Sequence, residues 1–360
     1  MNKELEEIVK PLLEWFDQNA RVLPWRDQPT PYRVWVSEIM LQQTRVEAVK
    51  PFYQRFMKTL PDVQSLAQCQ EEELLKLWEG LGYYNRVRNM QIAAQTVMKD
   101  YNGKIPDDYA ELQKLKGIGS YTAGAVASIA YGKVAPAVDG NVLRVISRVL
   151  FSREDILKQS VKRAMEEKVT AIMPADRPGA FNQALMELGA MVCVPNGEPH
   201  CTDCPLAELC QAHLQNATGE IPVKKAKKPR RIEEKTVLII RDGEHLAIHK
   251  RPEKGLLSGL YELPNTPGIL TQDEAVQWVK EKGFSPIRIH PLEPAKHIFS
   301  HVEWHMSAYL VWIEDPVYTG EYLFVEPSLT EEKYPIPAAF AAYARYMEIR
   351  LGQEKYREET

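Results

Sequence analysis

The chain has 360 residues, too many for one ordinary core, so two domains are expected. Hydrophobic residues make up 44% and charged residues 26%, a soluble globular balance, and no apolar run reaches the roughly 18 residues that a membrane span needs. The formal net charge of −4 counts mildly against a nucleic-acid partner, although a global sum can hide a basic face.

The opening stretch, MNKELEEIVKPLLEWF, is an acidic amphipathic helix without the basic region and apolar block of a signal peptide. A cytoplasmic location is therefore expected, where thiols stay reduced. Helical periodicity then continues to about residue 215, with helices over 3–18, 32–50, 71–79, 86–100, 108–115, 120–131, 140–151 and 155–172. Pro and Gly mark the breaks, as in Leu60-Pro61, Gly80-Leu81-Gly82 and Gly103-Lys104-Ile105-Pro106. Four of the five cysteines follow, Cys193, Cys201, Cys204 and Cys210, spaced C-x7-C-x2-C-x5-C. Soft thiolates in a reducing compartment point to zinc or an iron–sulfur cluster rather than disulfides, and the C-x2-C core suits either. Zinc sites usually use two paired turns, whereas this spacing runs single, pair, single. Cys69 is a lone thiol with no role.

Residues 222–231, PVKKAKKPRR, carry six basic residues and two prolines, which is linker composition. Beyond them KTVLIIRDGEHLAIHKR reads as a hairpin around Asp242-Gly243. In HVEWHMSAYLVW the alternation of Val302, Trp304, Met306, Ala308 and Leu310 is that of a half-buried strand. His297, His301 and His305 recur every four residues, but this alternation places them on strand and loop rather than on one helix face. An all-α domain, a connector and an α+β domain are the expected order.

Three features could carry chemistry. LKGIGSYTAG ends one helix at Leu115, turns through Gly117-Ile118-Gly119 and starts another at Ser120, whose exposed amides would suit a phosphate; an ordinary capped turn explains it equally well. Asp139, in APAVDGNVLRV, precedes a helix as an N-cap, and such a carboxylate should stay anionic. Glu38 lies mid-helix among Trp35, Ile39 and Leu41, where poor solvation would raise its pKa, although a surface glutamate is the plainer reading. Two carboxyls in opposed environments form the acid and stabiliser pair of glycosidic cleavage.

Together the hairpin, the segment VDGNVLRV, the four-cysteine loop, SEIMLQQT and WEGLGYYNRVRN resemble the MutY-type adenine DNA glycosylases of the helix-hairpin-helix, iron–sulfur family. The resemblance covers nearly the whole chain. It implies a multidomain fold: an all-α catalytic region over 1–217, a basic interdomain connector over 218–232, and an α+β Nudix-like domain over 233–360. The catalytic region comprises a six-helix barrel at about 25–130 and a cluster subdomain from 1–24 and 131–217. The implied function is base-excision repair, with adenine opposite 8-oxoguanine or guanine flipped out of the duplex and hydrolysed from its sugar. Glu38 would protonate the adenine ring and Asp139 would stabilise the oxocarbenium ion, with or without a transient covalent bond. Asn141 and Tyr121 would position them. Endonuclease III-like members carry a lysine nucleophile two residues past the hairpin. Here that position is Tyr121, so a monofunctional enzyme without efficient lyase chemistry is implied. A bifunctional lyase and a non-catalytic damage-binding protein are the alternatives.

On the DNA side the resemblance implicates Gln43, Thr44, Leu81 and Tyr83 as wedge or opposite-base contacts, with core packing still open for Leu81 and Tyr83. Arg21 and Arg26 would make phosphate or structural contacts. Arg86 and Arg88 are candidate phosphate contacts, as are the backbone positions Gly117, Gly119 and Ser120. Phe299, Ser300 and His301 match the loop that reads 8-oxoguanine. The cysteines would hold a [4Fe–4S] cluster, with zinc as the alternative. The first gap, VPNGEPH, is one residue longer than usual and is expected to bulge at Asn196-Gly197; the loop holds no Lys or Arg, which puts direct phosphate contact in doubt. The Nudix-like motif begins plausibly from Gly255 to Glu262, but TQDEAVQWVKEKGF lacks the metal-binding glutamate cluster, so nucleotide hydrolysis is not expected. The expected partners are mispaired double-stranded DNA and, through the connector, repair or replication proteins. A monomer associated with the nucleoid is expected.

Overall fold

A computed structural model describes residues 3–225, 229–314 and 320–351. The chain divides into two compact units that are not contiguous in sequence. One comprises Met1–Gln68 and Arg88–Lys227; the other joins Cys69–Val87 to Lys228–Thr360. The stretch read as a connector is not free chain at either end: Ile221 is buried beside Cys210 and Val223 O accepts from the Ile156 amide, while Arg231 already opens a strand; residues 226–228 lie outside the described residues. The segment 69–87, expected within the helical domain, instead belongs by its contacts to the second unit.

The first unit is helical, with two departures from the periodicity. The stretch read as one helix over 32–50 is two, Pro31–Leu41 and Val46–Thr59. Thr30 caps the first through the Arg33 amide, and Pro31 suits the opening turn. The break carries Gln43 at φ 62, a left-handed conformation that ends the helix and exposes the Gln43 side chain. The opening helix also falls into Lys3–Glu6 and Val9–Asn19. Leu5, Ile8, Leu12 and Phe16 pack with Val142, Ile146, Met165, Phe181 and Leu185 in one core, so the start of the chain and the region after 131 share an apolar centre. The helix Pro178–Met191, which the periodicity reading had not singled out, runs through that core.

The hairpin forms as expected between the helices Tyr109–Lys114 and Ser120–Ala125. Only one of its glycines needs the freedom of glycine. Gly117 has φ 80 and packs against Asn89, while Gly119 is extended at φ −92 and faces open space. Further on, Gly124 lets the main chain of Pro136 come so close that a Cβ would lie 1.9 Å from its carbonyl oxygen. That contact holds the helix Ser120–Ala125 against the segment leading to Asp139.

The second unit is built on a seven-stranded mixed sheet. Its strands are β1 (Arg231–Asp242), β2 (His245–Lys250), β3 (Tyr261–Glu262), β4 (Asn265–Pro267), β5 (Ser285–Ile298), β6 (Val302–Glu314) and β7 (Leu323–Val325). The main order is β3-β2-β1-β6-β5, with β4 on β1, β7 on β2, and β1 parallel to β6. The hairpin at Asp242-Gly243 pairs Asp242 with His245. Val237 to Ile240 are all buried because β1 is covered on both faces, one by the helix Gln272–Glu281 and the other by the 336–347 region. His297 pairs with Trp304 across β5 and β6, and His305 pairs with Lys296, so the three histidines lie on strands and their turn. No described helix is long and apolar enough to cross a membrane.

Gly124→Ala should force main chain from main chain and lower stability by about 1–3 kcal/mol or more. Gly119→Ala, in open space at a permitted φ, should stay within about 1 kcal/mol of the parent. Thermal unfolding of the two variants side by side checks the contrast.

Candidate active site

Glu38 points inward from the helix Pro31–Leu41 and is 6% exposed. Burial raises its pKa to about 7, because a carboxylate without water is costly; the nearby Asp139 adds to the rise. Among the described residues it is bonded directly by Tyr121, whose hydroxyl donates a short hydrogen bond to Oε2 and also contacts Met186 Sδ at 3.3 Å. Tyr121 itself is pushed well above its ordinary value by burial and by the two carboxyls, so it serves as a neutral donor.

Asp139 caps the helix Gly140–Val149. Its Oδ1 accepts from the amides of Asn141 at 2.9 Å and Val142 at 2.8 Å, while Oδ2 accepts from Asn141 Nδ2 at 2.7 Å. The N-cap expectation is met in geometry. Crowding by protein raises the Asp139 pKa, against the pull of the three hydrogen bonds and Arg144. The sequence reading had counted only that pull.

Two arginines that it passed over organise this end of the site. Arg144 Nη2 donates to Asn141 Oδ1 and to Gly189 O, both at 2.8 Å, and its Nε donates to Cys193 O at 2.7 Å. One turn later, Arg148 Nη1 reaches Cys193 Sγ at 3.1 Å and Val194 O at 3.3 Å. Both are almost fully buried. Gly189 lies so close beneath Asn141 that a Cβ there would be 2.5 Å from the Asn141 Cβ. The signal was present as two arginines four residues apart in the apolar run NVLRVISRVL.

Arg21 and Arg26 are joined by Glu187, another residue the sequence reading missed. Arg21 donates through Nε at 2.7 Å and Nη2 at 2.9 Å, and Arg26 donates through Nη2 at 2.9 Å. Glu187 is 2% exposed, yet the two arginines outweigh burial and hold its pKa at about 2. Of the two roles expected for these arginines, the structural one is filled. Arg26 also pulls modestly on Glu38.

The opposite-base candidates divide. Gln43 and Thr44 occupy the helix break, with Gln43 exposed and Thr44 half-buried. Leu81 is a core residue at 5% exposure, while Tyr83 is 48% exposed at φ 50. Tyr83 shares a hydrogen bond of 3.1 Å with Ser300 Oγ, so those two candidates meet. Ser300 and His301 form an exposed turn; Phe299 stacks between His297 and Trp304. Arg86 is not presented to solvent as a phosphate contact. Its guanidinium donates to Leu81 O at 3.0 Å and Gly82 O at 3.2 Å over the Trp78 and Tyr83 rings, and burial lowers its pKa to about 10. Arg88, on the helix Asn85–Asp100, is half-buried. The Ser120 hydroxyl donates to Glu166 at 2.8 Å, while Gly119 faces open space.

Cys193, Cys201, Cys204 and Cys210 line a single small cavity with Arg148 and His213, none of them in a disulfide. The lengthened first gap bulges out at 195–198, with Gly197 at φ 77, and is closed by the His200 amide on Val192 O at 3.0 Å. The ring of thiols is therefore kept. Burial, with repulsion from neighbouring thiols, raises Cys201, Cys210 and Cys204, the last to about 12. Cys69 is likewise raised to about 11 by burial, an inert thiol. In the second unit, Glu262 is buried and engaged by Arg251 and by His249 at 3.0 Å, so the one metal-motif glutamate is neutralised internally.

A profile described as HhH-GPD superfamily base excision DNA repair protein matches residues 36–171, and a NUDIX domain profile matches 236–346. The chain is 34% identical to a rat protein described as adenine DNA glycosylase, over 84% of this chain and 70% of that one. It is also 34% identical to a protein of the same description from Buchnera aphidicola, over 84% of each. Among solved structures, a thermostable thymine-DNA glycosylase superposes with TM-score 0.54 at 28% identity, covering 59% of this chain and 98% of that one.

Gly189→Ala should displace Asn141 and break its amide bond to Asp139 Oδ2. Single-turnover base release is expected to fall at least about tenfold, equivalent to about 1.4 kcal/mol of barrier, with duplex affinity changed much less.

Proposed function

The chain belongs to the adenine DNA glycosylase family, and on that premise we propose that it hydrolyses the N-glycosidic bond of adenine mispaired with 8-oxoguanine or guanine in double-stranded DNA. The observation that carries this reading is Glu38, a buried carboxyl with a pKa of about 7, hydrogen-bonded by a neutral Tyr121 beside the capped carboxylate of Asp139.

The adenine must leave the stack first, since its reacting atoms are inaccessible within the duplex. Protonated Glu38 then gives its proton to a ring nitrogen, which makes adenine able to depart with the electron pair of the glycosidic bond. Positive charge develops on the sugar next to Asp139, whose three hydrogen bonds fix it in place before charge appears. Water adds to the anomeric carbon, its proton passing to a carboxylate, and the product is an abasic site. Tyr121 offers a hydroxyl where a lyase needs an amine, so no imine forms and the strand stays whole. Tyr83, Ser300 and His301 would face the orphaned opposite base, with Phe299 anchoring their turn; Gln43 and Thr44 would fill the gap left by the flipped adenine.

Four thiols around one cavity suit a [4Fe–4S] cluster. Burial and mutual repulsion raise Cys201, Cys204 and Cys210, so as thiolates the ring would call for a cationic core. Such a cluster supplies structural cross-linking of this loop, and Arg144 and Arg148 join the loop to the helix capped by Asp139.

Base release should require Glu38 protonated and should fall up to about tenfold per pH unit above about 7. The Tyr121 bond favours the ionised form, so Tyr121→Phe should move that limb to higher pH. Glu38→Gln and Asp139→Asn should bind the mispair and lose base release. A duplex containing A opposite 8-oxoguanine, scored with and without alkali across pH, measures all of this; prompt nicking without alkali would overturn the monofunctional reading.

Fresh protein should be brown, with broad visible absorption and iron and sulfide in stoichiometric amounts. Colourless protein carrying one zinc would reject the cluster.

A further inference from the structure

The segment Cys69–Val87 is helical-domain sequence held in the second unit, and its anchor is a buried ion pair. Lys76 Nζ lies 2.7 Å from Glu79 Oε2, with side chains 13% and 1% exposed. The pair's remaining capacity is directed at the main chain of the 330–336 stretch. Lys76 donates to Thr330 O at 2.7 Å and Tyr334 O at 3.4 Å, while Glu79 Oε1 accepts from the Ile336 amide at 2.9 Å.

Immediately after this anchor come Leu81 and Tyr83. The turn is internally stiff: Trp78 Nε1 donates to Gly82 O at 3.0 Å, and Arg86 ties the Leu81 and Gly82 carbonyls. It ends on the bond between Tyr83 OH and Ser300 Oγ. The segment is thus held to the sheet by Glu72 on Lys250, by the ion pair at the base of the turn and by Ser300 at its tip.

We propose that Lys76 and Glu79 are positioning residues for opposite-base discrimination, setting Tyr83 against Ser300 by pinning the base of the turn to the 330–336 main chain. This rests on the reading that Tyr83 and Ser300 face the opposite base. A charged pair suits the task because each partner must be satisfied in one geometry, whereas an apolar contact tolerates sliding. It also means that removing the chain beyond 225 takes away two things at once: Ser300 and the backbone partners of a buried ion pair. Loss of discrimination on truncation would not by itself show that Ser300 reads the base.

Point variants of the full chain separate the two. The double variant Lys76→Met, Glu79→Leu replaces the pair by apolar groups of similar size, a change often neutral for stability. Single-turnover rates on A opposite 8-oxoguanine and A opposite guanine should show their ratio falling about tenfold, within the range typical of coupled sites. Amide exchange at Leu81 and Arg86 should quicken, and the melting temperature should stay near that of the parent. Glu79→Gln, which keeps a carbonyl for Ile336, should give an intermediate ratio. An unchanged ratio in both variants overturns the proposal. Ser300→Ala is the control. If it leaves the ratio unchanged, the opposite-base reading falls and the proposal with it; if it lowers the ratio while the pair variants do not, only the proposal falls.

Discussion

A carboxyl buried without a cationic partner constrains everything around it. Glu38 is surrounded by apolar helix and has one hydroxyl for company, so its proton is held near neutral pH. Had Arg26 paired with it directly, Glu38 would be a fixed anion with no proton to give. The fold prevents this by committing Arg26 and Arg21 to Glu187. Two glutamates served by the same arginine field thus sit at opposite extremes, Glu38 at about 7 and Glu187 at about 2. The guanidiniums bonded to Glu187 outweigh its burial, whereas burial of Glu38 meets only the Tyr121 hydroxyl and a weaker pull from Arg26.

The helix Gly140–Val149 carries the second half of the arrangement. Its cap is Asp139, its first turn holds Asn141, and Arg144 and Arg148 lie on the face turned toward the thiol loop. A buried guanidinium needs several acceptors, and the carbonyls of Gly140, Gly189 and Cys193 with Asn141 Oδ1 fill that need for Arg144. The loop consequently contributes acceptors to the residue that orients Asn141. It needs no positive charge of its own to matter to the site, which accounts for a cysteine loop without Lys or Arg.

Much of this was legible because local rules govern it. An Asp before Gly-Asn and an apolar helix is a cap in any context, whereas Glu38 reads from spacing alone as a surface residue and is buried only by the packing around it. The hairpin, the Asp242-Gly243 turn and the cysteine ring likewise follow from short-range spacing. What escaped was set by distant partners. Periodicity assigns charged residues to solvent, so Arg144, Arg148 and Glu187 read as surface until distant partners reach them: the carbonyls of Gly189, Cys193, Val194 and Ile221 for the two arginines, and the Arg21 and Arg26 guanidiniums for Glu187. Glu79 reads as an exposed end of a helix until the 330–336 main chain covers it. The break at Gln43 was hidden because its flanks keep one helical phase, and only the left-handed φ interrupts it.

The same distinction explains the second unit. A sheet with the shape of a nucleotide hydrolase is retained, but Glu262, where the motif would present a metal ligand, is closed by Arg251 and His249. A carboxylate held by two basic groups in a buried site is already neutralised, and binding a divalent ion there would leave Arg251 buried without its partner. The turn at Ser300 and His301 is exposed and carries its own hydrogen bond to Tyr83. Recognition demands a rigid frame more than a reactive centre, and an internally satisfied ion pair supplies that rigidity where a metal site would have depended on its ion.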